Sequence, residues 1–187
     1  MGRTSQEIGR AVLAELDQVL VGIENGAVDA FVNSIASARR IAIYGAGREG
    51  LAIKGFAMRL FHVGLDVHVV GDMTTPPIGP GDLLITTSGT GELASAETLL
   101  EIASAAGART IIVTAQPGGK TALRADTRVV IPAQTMVDDR GGQVSVLPMG
   151  SLFEFAEAIF FEVAILKLRD HVGESAETMR ARHTNLE

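Results

Sequence analysis

Residues Ile43–Glu92 read IYGAGREGLAIKGFAMRLFHVGLDVHVVGDMTTPPIGPGDLLITTSGTGE, and in this segment short apolar runs alternate with helical patterns. The alternation continues on both sides of the segment. It predicts five strands, which are Arg40–Tyr44, Asp66–Val70, Asp82–Thr87, Arg109–Thr114 and Thr127–Ile131. The runs are almost continuously apolar, as is typical of parallel strands covered on both faces. We therefore predict an α/β fold with one doubly wound, five-stranded parallel sheet and helices on both faces.

The two ends of the chain also carry helical patterns. Thr4 and Glu7 have the spacing of a capping box and predict an N-terminal helix. A minimal sheet sandwich has no place for this helix, so we expect it to dock on another subunit. After the fifth strand, a polar loop at Met136–Ser145 precedes a long helix at about Ser151–Arg169. A short charged helix and a polar tail complete the chain.

Length and composition bound the class of protein. The 187 residues, 47% of them hydrophobic, suffice for one core and are few for two ordinary domains, so residues 1–187 are expected to form a single domain. The most apolar stretch, Ala156–Leu168, contains charges and is too short to span a bilayer, and no secretory signal is evident. The chain has no cysteine, which suits the cytoplasm. We expect a soluble, cytoplasmic protein with no membrane partner.

Charge and ligand spacing exclude two further classes of site. A net charge of -6 argues against a nucleic-acid surface, because phosphate contacts need clustered Lys and Arg. No pair of the histidines has the spacing of metal ligands, and Asp138 and Asp139 are expected to form a solvated turn. Structural roles are expected for His62, His68 and His171. We expect no metal.

Two glycine-rich turns follow predicted strands, where ligands of open α/β sheets bind. The first, Gly45–Gly50, opens a helix and matches a dinucleotide fingerprint, with Asp72 near the place of the ribose-binding acid. The second, Ser88–Glu92, is expected to open the next helix and to offer hydroxyls and N–H groups to an anion. Either turn alone could be structural, with Thr90 serving only as a helix cap. Two such turns on successive edges of one crevice favour a ligand.

Glu154 admits two interpretations. It follows Ser151 by three residues, which is the spacing of a capping box, so it could satisfy backbone donors at the start of the long helix. A carboxylate in an apolar first turn could also have a raised pKa, which suits it to take a proton from carbon. The sequence leaves both open.

Three segments together resemble the sugar-isomerase, or SIS-domain, family. They are Ile43–Glu92, quoted above, VLPMGSLFEF at Val146–Phe155 and MRARHTNLE at Met179–Glu187. The resemblance implies a flavodoxin-like sheet and a homo-oligomer, expected to be a tetramer. It also implies an isomerase without a cofactor that converts a 3-hexulose 6-phosphate into fructose 6-phosphate through an enediol.

The resemblance also implies roles for single residues. The hydroxyls of Ser88 and Thr90 would hold the phosphate of a sugar phosphate, helped by the backbone of Gly89 and Gly91. Gly47 and Arg48 would face the same ligand. Glu154 would be the general base, and His183 would enter the site of a neighbouring subunit.

The chain departs from the family pattern at two positions. Glu49 stands where the family commonly has serine, and Leu93 stands where it commonly has threonine. The site is therefore expected to lack one hydroxyl and to hold a carboxylate near the anion.

Two other functions compete with the isomerase. A nicotinamide-dependent oxidoreductase would use the first glycine-rich turn and Asp72, although little chain remains for a substrate domain. A non-catalytic, sugar-phosphate-binding regulatory module would use the second turn without chemistry. Turnover of phosphosugars distinguishes the three.

Overall fold

The computed structural model describes residues 2–140 and 145–186. Its centre is a five-stranded parallel sheet with the order β2-β1-β3-β4-β5. The strands are β1 Ile41–Tyr44, β2 Val67–Val69, β3 Leu83–Thr87, β4 Arg109–Thr114 and β5 Thr127–Val130. The predicted doubly wound α/β sheet is confirmed, and each strand lies within one residue or so of its predicted bounds.

Helices cover both faces of the sheet. They are α1 Ser5–Gly22, α2 Asn25–Ala36, α3 Gly47–His62, α4 Ala94–Ala105, α5 Ser151–Val172 and α6 Ala176–Ala181, with a 3₁₀ turn at Ala122–Arg124. Because strand side chains alternate between faces, Ile43 and Ile85 pack towards α1, α2, α3 and α5, whereas Ala42 and Leu84 pack towards α4. The long α5 is the centre of the first layer and contacts α1, α2 and α3.

The N-terminal helix forms as predicted and packs on its own chain. The capping box is present, with the Thr4 N–H donating to the Glu7 carboxylate at 2.6 Å. The helix packs on α5 of its own chain and buries Leu16 and Val19 there. The helix therefore has a place in its own fold, because the long α5 offers it an apolar surface, and docking of α1 on another subunit stays a prediction. Leu13, on the same helix, remains 67% exposed.

The layer of α3 and α5 also presents apolar side chains to the outside. Leu51 and Phe61 of α3 and Phe155 and Leu166 of α5 are each about half exposed or more. Among the described residues, no single helix has the length and hydropathy of a membrane span, although α1 and α2 pass such a test together as a pair bent by 75°.

Candidate active site

The strand order reverses between β1 and β3. From β1 the chain moves to one side for β2 and then crosses to the other side for β3. Ligands of open α/β sheets bind at the carboxyl ends of the strands at such a point. Both glycine-rich turns lie there, since Gly45 follows β1 and Ser88 follows β3. Contacts from both turns reach the start of α5.

Close backbone packing explains the glycines of the first turn. A Cβ on Gly45 would lie 2.5 Å from Thr87 Cγ2, and a Cβ on Gly50 would lie 2.5 Å from the carbonyl oxygen of Gly45. Gly47 has a φ of +58°, in the left-handed region that favours glycine. The glycines thus let α3 begin directly against the ends of β1 and β3. This packing accounts for the dinucleotide-like pattern without a nucleotide.

Arg48, in the first turn of α3, joins α3 to α5. Its Nη1 donates to Ser151 Oγ at 2.9 Å, and its Nη2 lies 3.0 Å from Glu154 Oε2. The N-cap of α5 is Gly150, with a φ of +79°, and within the described residues no side chain caps this helix. The capping-box interpretation of Ser151 and Glu154 is therefore wrong. The helix begins one residue earlier than that spacing assumes, which frees Glu154 to face Arg48.

The environment of Glu154 suits proton transfer. Its side chain is 17% exposed. Burial raises the pKa of the Glu154 carboxyl, while the Arg48 guanidinium acts in the opposite direction. Partial desolvation makes a carboxylate more basic, and a neighbouring cation favours its charged form.

The second turn is built for a tight backbone path. Ser88 is buried, and its N–H donates to the carbonyl oxygen of Val113 at 3.0 Å. Gly91 has a φ of +67°, and a Cβ there would lie 2.4 Å from the carbonyl oxygen of Gln116. The hydroxyl oxygens of Ser88 and Thr90 lie 3.5 Å apart. The structure therefore brings both proposed phosphate hydroxyls to one turn.

The sequence suggested that the second turn opens the next helix, but the structure shows that it does not. Helix α4 begins at Ala94 with Leu93 as its N-cap, and no side-chain cap is present among the described residues. The Thr90 hydroxyl accepts instead from the N–H of Glu92 at 3.3 Å. Thr90 also borders a cleft of about 670 Å³ lined by Gln116 and Asp138. The interpretation of Thr90 as a cap of α4 is thus wrong.

Glu49 occupies the second turn from the side of α3. Its two carboxylate oxygens lie 3.1 and 3.0 Å from the N–H nitrogen of Gly89, and Oε2 lies 3.1 Å from the Thr87 hydroxyl. Burial raises the pKa of Glu49, against the N–H of Gly89 and the Thr87 hydroxyl, which lower it. A Cβ on Gly89 would lie 2.7 Å from a ring carbon of Phe153. The turn is therefore enclosed by α3 and α5.

Glu157 is a site residue that the sequence reasoning missed. It has no exposed surface, and its Oε1 contacts the Thr87 hydroxyl. Burial raises the pKa of Glu157 well above its usual range; the Thr87 contact opposes this, and the charges of Glu49 and Glu154 add to it. The available signal was an acid three residues after Glu154 in the largely apolar first half of the helix, which places both on one face.

His183 lies far from Glu154 of its own chain. Its ring centroid is 5.3 Å from that of His62, at the last residue of α3. Arg182 holds the tail there, donating to the carbonyl oxygen of His62 at 2.9 Å and pairing with Glu174 at 2.7 Å. The hydrogen bonds that Glu174 accepts from Arg182 and, to a lesser extent, from Thr178 lower the pKa of the Glu174 carboxyl to about 2. Arg48 lies at the other end of α3, about 20 Å from His62 along the helix axis at a rise of about 1.5 Å per residue. One chain thus does not unite His183 with Glu154.

Asp72, the residue suggested for a nicotinamide cofactor, lies outside the crevice between β1 and β3. Asp72 is exposed in the loop after β2, beside Lys54 and His68. Among the described residues, no group of three His, Asp or Glu side chains is arranged to hold a metal ion. Gly141–Val144 of the polar loop and Glu187 of the tail segment lie outside the described residues.

Known proteins resemble this chain over most of its length. The chain is 38% identical to 3-hexulose-6-phosphate isomerase of Bacillus subtilis, over 94% of this chain and 95% of that protein. It is 41% identical to the protein of the same name from Mycobacterium gastri, over 86% and 80% of the two chains. A crystal structure from Methanococcus jannaschii, for which a 3-hexulose-6-phosphate isomerase function is inferred, matches with a TM-score of 0.80 and 28% identity over 96% of this chain and 97% of that chain. The SIS domain family matches residues 34–156, and the chain belongs to this family.

Proposed function

We propose that this protein is a phosphosugar isomerase that interconverts 3-hexulose 6-phosphate and fructose 6-phosphate. The observation that carries the proposal is the pair of Arg48 and Glu154, which faces the switch-point crevice beside the Ser88–Gly91 turn. A base next to an anion cradle is the arrangement that an enediol reaction on a sugar phosphate requires. The named relatives supply the choice of sugar.

The reaction moves a carbonyl group from C3 to C2. The Glu154 carboxylate takes the proton from C2, the C2–H electron pair forms the C2–C3 double bond, and O3 becomes the hydroxyl of an enediol. The carboxyl group then returns its proton to C3 as O2 loses a proton and becomes the ketone oxygen. The net change on the oxygens is transfer of one proton from O2 to O3.

Arg48 acts on both the base and the developing charge. At 3.0 Å it favours the ionised form of Glu154, and its bond to Ser151 Oγ fixes the direction of the guanidinium. A fixed cation at the crevice also stabilises the enediolate oxygen as charge develops there. The phosphate is held by the hydroxyls of Ser88 and Thr90 and by the backbone at Gly91, with Gly47 on the facing edge.

His183 acts in a neighbouring subunit, as the proton shuttle between O2 and O3. This assignment is supported by the contact of His183 with His62, which lies about 20 Å along α3 from Arg48 of the same chain. It makes the protein a homo-oligomer, which we take to be a tetramer of single-domain chains, residues 1–187. The half-exposed apolar side chains of α3 and α5 provide a surface for that association. We place the enzyme in the cytoplasm, since a chain without cysteine needs no oxidising compartment.

Turnover of a panel of sugar phosphates tests the proposal. Purified protein should equilibrate 3-hexulose 6-phosphate with fructose 6-phosphate. The Glu154→Gln variant, purified by the same procedure, serves as the inactive control. Binding of fructose 6-phosphate without any turnover would favour the regulatory module. Turnover that needs added nicotinamide nucleotide would favour the oxidoreductase.

A further inference from the structure

The N–H group of Gly89 already has an anionic partner. Both carboxylate oxygens of Glu49 lie within 3.1 Å of its nitrogen, so the carboxylate sits across this donor. The contact bridges the crevice from α3 to the turn after β3. A phosphoryl oxygen that binds this turn must therefore compete with Glu49 for the same N–H.

A second contact fixes Glu49 in this position. The Thr87 hydroxyl lies 3.1 Å from Glu49 Oε2 and also contacts Glu157 Oε1. A hydroxyl carries one hydrogen, so one of the two carboxyl groups has to be the donor. Glu157 has no exposed surface, and its Oε2 has no hydrogen-bond partner among the described residues. Because an unpaired buried carboxylate is costly, Glu157 is the protonated donor and Thr87 donates to an ionised Glu49.

We infer that Glu49 is a resident anion of the phosphate-binding turn, and that the phosphoryl group of the substrate replaces it on the Gly89 N–H while Glu49 takes up one proton from solvent. The inference rests on the proposed function, since it takes the Ser88–Gly91 turn as the phosphate site. No covalent bond of the substrate changes. One O–H bond forms on Glu49, and the Gly89 N–H changes its acceptor.

Among the described residues, four ionisable side chains of α3 and α5 lie close to Gly89 and Thr87, and of these Glu49 suits the exchange. They are Arg48 and Glu49 from α3, and Glu154 and Glu157 from α5. Arg48 lies 3.0 Å from Glu154 and keeps that carboxylate charged. Glu157 already carries its proton. Glu49 is held by two neutral donors and is already partly desolvated, so an arriving dianion favours its neutral form.

Titration calorimetry with fructose 6-phosphate tests the inference directly. Binding at pH 7 is measured in several buffers that differ in ionisation enthalpy, and the slope gives the number of protons taken up. The Glu49→Ser variant measures how many protons the phosphate ester itself takes up on binding. Glu92→Gln removes an exposed carboxylate from the same turn and is the matched control for charge alone.

We expect uptake approaching one proton per site in the parent and in Glu92→Gln, and no uptake beyond that of the ester in Glu49→Ser. The KM of the parent should also rise with pH by up to about tenfold per pH unit, the limit for one coupled proton, and this slope should flatten in Glu49→Ser. Binding and turnover with equal proton uptake in the parent and Glu49→Ser would overturn the inference and leave the isomerase intact. Absence of both binding and turnover would overturn the two together.

Discussion

The guanidinium of Arg48 lies 3.0 Å from the carboxylate of Glu154, and the same guanidinium donates to Ser151 Oγ. The carboxylate thus points into the crevice and not back onto the first N–H groups of α5. A cap would leave Glu154 engaged with the backbone, where it could not reach a substrate. The ion pair is the arrangement in which the side chain remains available as a base.

Glu154→Gln should abolish most turnover without unfolding the protein. The amide oxygen of Gln still faces Arg48, but it cannot take a proton from carbon. Loss of general-base catalysis costs about 10²- to 10⁴-fold, so kcat should fall by that range while the melting temperature stays within a few degrees. Ser151→Ala is the companion variant, since it removes the other partner of Arg48 and keeps the base. Near-parental kcat in a folded Glu154→Gln protein would show that Glu154 is not the base.

Local patterns were sufficient to predict the sheet and the two glycine-rich turns that lie together at its carboxyl edge. The strands are continuous apolar runs, and the carboxyl ends of β1 and β3 must meet because parallel strands share one edge. This rule alone predicts that the Gly45 and Ser88 turns lie on the same edge of the sheet. The spacing of Ser151 and Glu154 was insufficient to predict the role of Glu154. The left-handed Gly150 is the N-cap, so the helix starts one residue earlier and Glu154 is no longer at the capping-box position.

The role of Glu157 could not be predicted from local pattern. An acid within an apolar stretch of a helix is usually an interruption of the buried face. Its partner is Thr87, 70 residues away in sequence. The two residues come into contact only when α5 packs over the end of β3. The contact of Glu49 with Gly89 joins segments 40 residues apart and was missed for the same reason.

Mixed subunits should reveal whether His183 acts across a subunit boundary. Chains with Glu154→Gln and chains with His183→Ala are each expected to be inactive. A hybrid regains one complete site, so random pairing of equal amounts should restore about a quarter of parental activity. His171→Ala, which changes an exposed histidine at the end of α5, should stay active alone. No recovery, despite subunit exchange seen by mass spectrometry, would count against the shared site.

The buried Glu157 should make stability depend on pH. Its pKa is near 4.5 when unfolded and is raised well above that in the fold, because burial favours the neutral acid. Between these values the folded state holds a proton that the unfolded state has lost, so stability falls as pH rises from about 4.5 towards the folded pKa, by at most about 1.4 kcal/mol per pH unit.

Glu157→Gln should remove that slope, because the amide donates to Thr87 and cannot ionise. The melting temperatures of parent and variant should converge below pH 4.5, the ordinary value for this carboxyl, and separate above it in favour of the variant. Glu162→Gln changes an acid of the same helix whose side chain is 54% exposed, and it should leave the slope in place. Parallel curves for parent and Glu157→Gln would contradict the assignment of a buried, protonated acid.

Leu93→Thr should stabilise the fold. Leu93 is the N-cap of α4, with a φ of −143° and a ψ of 102°, and it offers no oxygen to the first turn. A threonine there can accept from that turn, which is worth about 1 kcal/mol and raises the melting temperature by roughly 2–4 °C in a chain of this size. Leu93→Ala loses the same side-chain packing without gaining a cap. Equal melting temperatures for the Thr and Ala variants would show that no cap forms.

Glu49→Ser should tighten binding of the substrate and leave the chemical step almost unchanged. The change frees the Gly89 N–H for a phosphoryl oxygen and removes a carboxylate that would repel it. A charge-assisted hydrogen bond is worth about 1.5–3 kcal/mol, so KM for fructose 6-phosphate at pH 7 should fall by about tenfold or more. Binding energy gained equally by substrate and transition state lowers KM and spares kcat.

Inorganic phosphate provides the companion measurement. It should compete with substrate in the parent and inhibit Glu49→Ser at lower concentration, because it binds the freed N–H and the hydroxyls of Ser88 and Thr90. Glu92→Gln should change neither constant by more than about twofold, since its carboxylate is exposed and screened. Efficient turnover of an uncharged sugar, with no inhibition by phosphate in either protein, would show that the Ser88–Gly91 turn does not bind the anion.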